Sequence, residues 1–108
     1  MGTNEYEILY SDNAEYDRHE IYEYIVEKLK NQRAADRIQD AIVDALKYLK
    51  KDPEFYPIIG DGPYRKCTIE NYIVVHYVDH KNKKVIIEEI ARSSQNFLPR
   101  YTKEGFPS

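Results

Sequence analysis

RAADRIQDAIVDALKYLKKDPEFYPIIGDGPYRKCTIENYIVVHYVD, residues 33–79, changes its hydrophobic period once, and that change decides the fold. In its first part Ala34, Ile38, Ala41, Ile42, Ala45, Leu46 and Leu49 share one helical face, with Asp36, Asp40, Asp44 and Lys47 outside it. The spacing predicts a helix over residues 33–51, stopped by Pro53 because proline disfavours helical backbone in the residue before it. PEFYPIIGDGP, with three prolines and two glycines, reads as a loop. Beyond it, YRKCTI (64–69) and YIVVHYVD (72–79) are rich in β-branched and aromatic residues and are separated by Glu70-Asn71, the pattern of two strands joined by a short turn.

Working outward, VIIEEIA (85–91) follows the charged tip HKNKK and completes a three-stranded antiparallel meander. Upstream, EYEILY (5–10) reads as a first strand. Asp12 and Glu15 have capping-box spacing, and a helix follows with Ala14, Ile21, Ile25 and Leu29 on one stripe and Arg18 within it, its aliphatic stem inside and its head at the rim. KNQ (30–32) breaks this helix from the next, so the two form an αα-hairpin. Neither apolar stripe can remain wet in a domain of this size, so both helices should pack on one side of the sheet. The expected fold is α+β: a strand, an αα-hairpin and a three-stranded meander in a mainly antiparallel four-stranded sheet. The chain, 1–108, reads as a single domain with its core at about 5–97 and a loose tail after it.

Composition excludes several classes. The sequence has no apolar run of membrane-spanning length and no secretory leader pattern, so cytoplasmic residence is expected. One cysteine, Cys67, with His19, His76 and His80 supplies no zinc or haem motif, and neither metal nor cofactor is expected. The net charge of −3 is unevenly spread: residues 1–32 carry eight acids against three bases, and residues 64–108 carry eight bases against five acids. The last third is therefore the part suited to an acidic partner. The 11 tyrosines are expected mainly to complete the core, with their hydroxyls at its rim.

No phosphate loop, GxSxG or HExxH motif is present. Glu88 and Glu89, adjacent on a strand, are expected to point to opposite faces and so not to form a two-carboxylate site. The remaining candidates are cationic. Arg65, Lys66 and Arg92 are expected to converge at one end or rim of the sheet, where a guanidinium fork suits phosphate or carboxylate, or else to be solvated surface charges. His76, in a strand with Tyr72, Val74 and Val78 on its face, is either a core histidine or a proton-transfer group.

The ordered combination of YSDNAEYD before IYEYI, AADRIQDAIVDALKYLKKDPEFYP, YRK followed by NYIVVHYVD, and VIIEEIARSSQNF resembles the RelE/ParE superfamily of type II toxin–antitoxin toxins, and is closer to the ParE branch. The resemblance covers roughly residues 5–97. It implies a cytoplasmic toxin of a plasmid-stabilisation type module, neutralised by a cognate antitoxin in a hetero-oligomer. ParE-like members inhibit DNA gyrase without hydrolysis. RelE-like members are mRNA interferases, cutting ribosome-bound mRNA through a ribose 2′-hydroxyl. Many ParE-like sequences carry a glycine and two arginines after the last strand, where this chain has Ser93, Ser94 and Gln95. RelE-like ribonucleases often carry arginine where this chain has Ile73, and a tyrosine where it has His76. These departures weaken the nuclease expectation and also fit an inactive toxin remnant acting as an interaction domain.

Overall fold

The computed structural model describes residues 4–93. The first strand, β1 (Glu7–Tyr10), runs into Ser11, whose hydroxyl oxygen accepts from the Ala14 N–H at 3.0 Å and caps α1 (Asp12–Glu27). The cap is thus Ser11 and not Asp12. Of two adjacent residues able to cap, the one with extended backbone takes the position, and Ser11 has φ −66° and ψ 165°. Glu15, displaced from the box, bonds Arg18 instead, with Nη2 donating at 3.0 Å. The Arg18 guanidinium also lies 5.1 Å from the Tyr10 ring centroid.

Lys30, in the left-handed region at φ 53°, closes the turn after α1, and the Asn31 side chain caps α2 (Gln32–Lys47). A 3-10 turn, Tyr48–Lys50, extends α2 and brings Leu49 into the core. Ile38, Ile42, Leu46 and Leu49 are buried as their period requires, and Ala35 is buried rather than Ala34. On α1, Ala14 and Ile25 are buried, but Leu29 lies beyond the helix end and is 57% exposed.

The strands β2 (Tyr64–Ile69), β3 (Tyr72–Asp79) and β4 (Lys84–Arg92) form the expected meander. Glu70, at φ 53°, supplies the positive φ that the two-residue link from β2 to β3 demands. The sheet order is β1-β4-β3-β2, with β1 parallel to β4 and the other pairs antiparallel. Both helices cover one face, where Cys67, Ile69, Tyr72, Val74, Val85, Ile87 and Ile90 meet Ile25, Ile38, Ile42 and Leu46. A smaller cluster of Ile59, Ile73, Val75 and Ala91, joined by Tyr64, lies on the second face. The tail expected after the last strand falls outside the described residues.

A bulge interrupts β4. Val75 faces Glu89 while His76 faces Ile87, so Glu88 is the extra residue. Ser11 secures it: its N–H donates to the Ile87 carbonyl at 2.9 Å and its hydroxyl to the Glu88 carbonyl at 2.9 Å. One side chain therefore caps α1 and pins the bulge. Ser11→Ala is expected to cost about 1–2 kcal/mol in chemical denaturation, the upper part of the range for a lost cap. Ser11→Asp, which can cap but cannot donate to Glu88, is expected to recover only part of that loss.

Candidate functional site

The bulge changes the reading of the acid pair. Ile87 and Ile90 both face the helices, so the residues between them, Glu88 and Glu89, both belong to the second face. Glu89 lies opposite Val75 on that face. Tyr64, mainly through burial and secondarily through the Glu88 carboxylate, has its phenol pKa raised. Strand alternation adds Lys66, Asp79, Lys84 and Glu7 to the same side. Among the described strand residues this face therefore carries four carboxylates and two amines.

Arg65 faces the helix side instead, level with His76 in the register. Its Nη1 donates to the Tyr56 carbonyl at 2.8 Å and the Glu54 carbonyl at 3.2 Å, and its Nη2 to the Glu54 carboxylate at 2.9 Å. With its side chain only 18% exposed, Arg65 is a clasp for the loop after α2 rather than a solvated charge. Arg65→Ala is expected to cost about 1–3 kcal/mol, because two carbonyls lose a charged donor, and to speed amide exchange across residues 53–63. Arg65→Lys, with one ammonium in place of a planar fork, is expected to restore only part of it.

His76 is fully buried. Its ring meets the Tyr56 ring edge-on at 5.9 Å, its Nδ1 lies 3.4 Å from the Val74 carbonyl oxygen, and its Nε2 has no partner among the described residues. Burial lowers its pKa to about 4, and the nearby Arg65 charge acts in the same direction against the Val74 contact. The ring is consequently neutral near pH 7, which suits a core histidine and not a proton shuttle at that pH. Tyr56, on the loop that Arg65 holds, donates its hydroxyl to the Ala45 carbonyl at 2.8 Å, and burial drives its phenol pKa far upward. Burial likewise raises the pKa of the Cys67 thiol, leaving it unactivated.

Arg92 is at the other end of the sheet. The register sets Arg65 against His76 and Arg92 against Tyr72, four residues apart along β3, or about 13 Å, and on strands flanking β3 from opposite sides. The expected convergence of the two arginines is therefore not observed. In a meander β2 and β4 run in the same direction, so the start of one and the end of the other lie at opposite ends. The Arg92 guanidinium lies 4.5 Å from the Tyr24 ring centroid and borders a cleft of about 390 Å³ shared with Asp17 and Glu20. Lys66 is on the second face, and its backbone N–H donates to the Pro57 carbonyl at 3.0 Å. Arg65, His76, Lys66 and Arg92 thus belong to three separate environments.

A further concavity has no counterpart in the sequence reading. Tyr48 and Phe55, 64% and 57% exposed, stack at 5.8 Å between ring centroids, with planes 17° apart. They line a hollow of about 590 Å³ with Lys47, Lys50, Lys51, Glu5, Asp44 and Asp52. A smaller hollow of about 200 Å³ shares Lys47 and Lys50 with it and continues past Val43 to Ile8 and Tyr10 of β1. The available signal was YLKKDPEFY, where two aromatics fall off the buried helical stripe on either side of a lysine pair.

Comparison with known proteins agrees with this architecture. The family model described as the ParE toxin of type II toxin-antitoxin system, parDE, matches residues 8–97. Among solved structures, the chromosomal ParDE toxin–antitoxin system of P. aeruginosa aligns at 21% identity and a TM-score of 0.69, covering 83% of this chain and 98% of that one. A mutant of the E. coli toxin RelE in the free state aligns at 11% identity and a TM-score of 0.65, covering 91% of this chain and 94% of that one. The RelBE2 toxin–antitoxin complex of Mycobacterium tuberculosis aligns at 16% identity and a TM-score of 0.58, covering 84% and 94%. No curated protein sequence matches.

Proposed function

The chain belongs to the family of ParE toxins of type II toxin–antitoxin systems, and from that premise we propose that it inhibits DNA gyrase in the cytoplasm and is neutralised by a cognate antitoxin. The family match over residues 8–97 carries this reading. The antitoxin is supported by the structural relatives, two of which are toxin–antitoxin assemblies.

The charge on the second face favours gyrase inhibition over mRNA cleavage. Attack of a ribose 2′-hydroxyl on its phosphodiester builds negative charge on the phosphoryl oxygens, which must be met by fixed cations. Here Glu7, Asp79, Glu88 and Glu89 outnumber Lys66 and Lys84. Arg65 is committed to Glu54 and Tyr56, and His76 is buried and neutral near pH 7. A surface with this balance repels a polyanion.

The test is expression of the chain alone in a bacterial host with pulse labelling. Thymidine incorporation is expected to fall before methionine incorporation, and co-expression of the antitoxin to restore growth. Loss of methionine incorporation first would replace gyrase inhibition by ribosome-dependent cleavage. Undisturbed growth with soluble, folded protein would identify an inactive remnant.

A further inference from the structure

The loop after α2 returns along the outer edge of β2. Lys66 donates its N–H to the Pro57 carbonyl at 3.0 Å, Ile59 donates its N–H to the Tyr64 carbonyl at 2.7 Å, and Ile58 bridges Arg65 in the antiparallel sense. Residues 54–59 thus form a strap beside β2, and Tyr56 reaches from it to lay its ring against His76 on β3. Side chains fasten the first half of the strap. Arg65 holds the Glu54 and Tyr56 carbonyls and the Glu54 carboxylate, and the Tyr56 hydroxyl holds the Ala45 carbonyl. The His80 Nε2 lies 3.5 Å from the same carboxylate, and its Nδ1 is 2.7 Å from the Tyr6 hydroxyl.

His76 is the group this strap encloses. The register sets one row across the helix-side face, Arg65, His76, Ile87 and Tyr10, so the ring has a guanidinium on one side and an apolar side chain on the other. Cys67, two residues along β2, and Tyr56 from the strap are kept uncharged by burial, as is Tyr10 at the far end of the row, where Arg18 lies over its ring. α2 and its 3-10 extension turn Ile42, Leu46 and Leu49 to this face, none of them titratable. Protonation makes both ring nitrogens donors. Nδ1 has the Val74 carbonyl oxygen at 3.4 Å, but Nε2 has no acceptor among the described residues, and the charge beside the ring is a cation. β2 and β4 cannot retreat from an imidazolium, since backbone ladders hold each of them to β3. The strap, fastened largely by side chains, is the neighbour whose movement costs least.

We propose that residues 54–59 are an acid-released strap: when His76 takes up a proton, Arg65 and Tyr56 swing outward together, the ring gains water, and the segment leaves the edge of β2. Near pH 7 the neutral ring keeps it closed. Release also carries Phe55 off Tyr48, because Phe55 packs on Tyr56 at 5.0 Å as well as on Tyr48 at 5.8 Å. The hollow of about 590 Å³ that the stack lines is therefore present near neutrality and dismantled in acid, while the sheet and both helices remain.

The test is backbone amide exchange on the full chain between pH 7 and pH 4.5, with each rate divided by its intrinsic rate at that pH. The Ile59 and Lys66 N–H groups report the strap, the β3–β4 ladder amides report opening of the whole domain, and the Lys28 and Asn31 N–H groups at the turn after α1 are the local control. With a pKa of about 4 when enclosed and 6.5 when wet, His76 is expected to raise strap opening roughly fiftyfold over this range and to leave the control unchanged, with strap rates well above those of the ladder. His76→Gln is expected to abolish the rise, and His80→Gln, which removes the other histidine on the strap, to preserve it. Strap amides that exchange no faster than the ladder at pH 4.5 would overturn the inference from the wild-type chain alone, whether or not His76→Gln folds. A rise that persists in folded His76→Gln, or that vanishes in His80→Gln, would overturn it as well.

Discussion

Ile42→Ala is expected to remove about 3 kcal/mol of stability and to lower Tm by roughly 10–25 °C. Ile42 is fully buried, in the cluster where α2 meets both α1 and the sheet. Truncation loses the transfer free energy of the deleted carbons and leaves a void that helices anchored at both ends cannot close. A domain of this length has about 5–15 kcal/mol in all, so the loss is a large share of the total. The neighbouring Val43 is 39% exposed, and Val43→Ala is expected to stay within about 0.5 kcal/mol. Urea denaturation of the two variants side by side checks the claim, and similar losses would mean that the helix is rotated from the position described.

The second large effect is with pH. His76 has a folded pKa lowered from 6.5 to about 4 by burial and by the Arg65 charge. Between those values the unfolded chain binds a proton that the folded chain refuses, so stability falls as pH falls. The loss begins near pH 6.5, is complete near pH 4, and amounts to about 3 kcal/mol, at 1.36 kcal/mol per unit. Asp79 acts lower down: its pKa, lowered chiefly by the bond from the Asn82 side chain, adds stability above the unfolded value that disappears as pH drops through the folded one. His76→Gln, which cannot titrate, is expected to flatten the profile between pH 4 and 6.5 whatever it does to the total. An unchanged slope in that variant would assign the acid sensitivity to other groups.

Much of the fold was legible because period and punctuation agreed. β3 spans the expected Tyr72–Asp79, and the burial of Ile38, Ile42, Leu46 and Leu49 follows from their spacing alone. The failures have a different physical origin. Residue alternation cannot reveal a one-residue bulge, so Glu88 and Glu89 read as opposed when they share a face. Pattern does not decide which of two adjacent capping residues has the extended backbone, hence Ser11 in place of Asp12. Arg65 and Lys66 lie on β2 as expected, whereas Arg92, expected just beyond the last strand, is the final residue of β4; the three were wrongly brought together, because a same-direction pair of strands separates its starts from its ends. The loop PEFYPIIGDGP gave no sign that Tyr56 would reach the Ala45 carbonyl or that Glu54 would meet Arg65, since those contacts depend on how a long connection folds back.

The second-face acids also bear on how the family resemblance is read. A RelE-like fold is compatible with either mode of toxicity, so the fold does not choose between them. Among the described strand residues of the second face, Glu7, Asp79, Glu88 and Glu89 outnumber Lys66 and Lys84, a balance that supports the proposed gyrase reading. Exchanging Glu88 and Glu89 for lysine would invert that balance without entering the helix-side core.

The most direct measurement adds antitoxin-free protein to purified DNA gyrase with relaxed plasmid and, in parallel, to ribosomes programmed with a defined mRNA. Supercoiling is expected to stop in proportion to added toxin, equimolar antitoxin to restore it, and the mRNA to remain intact. Cleavage of the mRNA at the ribosome with undiminished supercoiling would contradict gyrase inhibition.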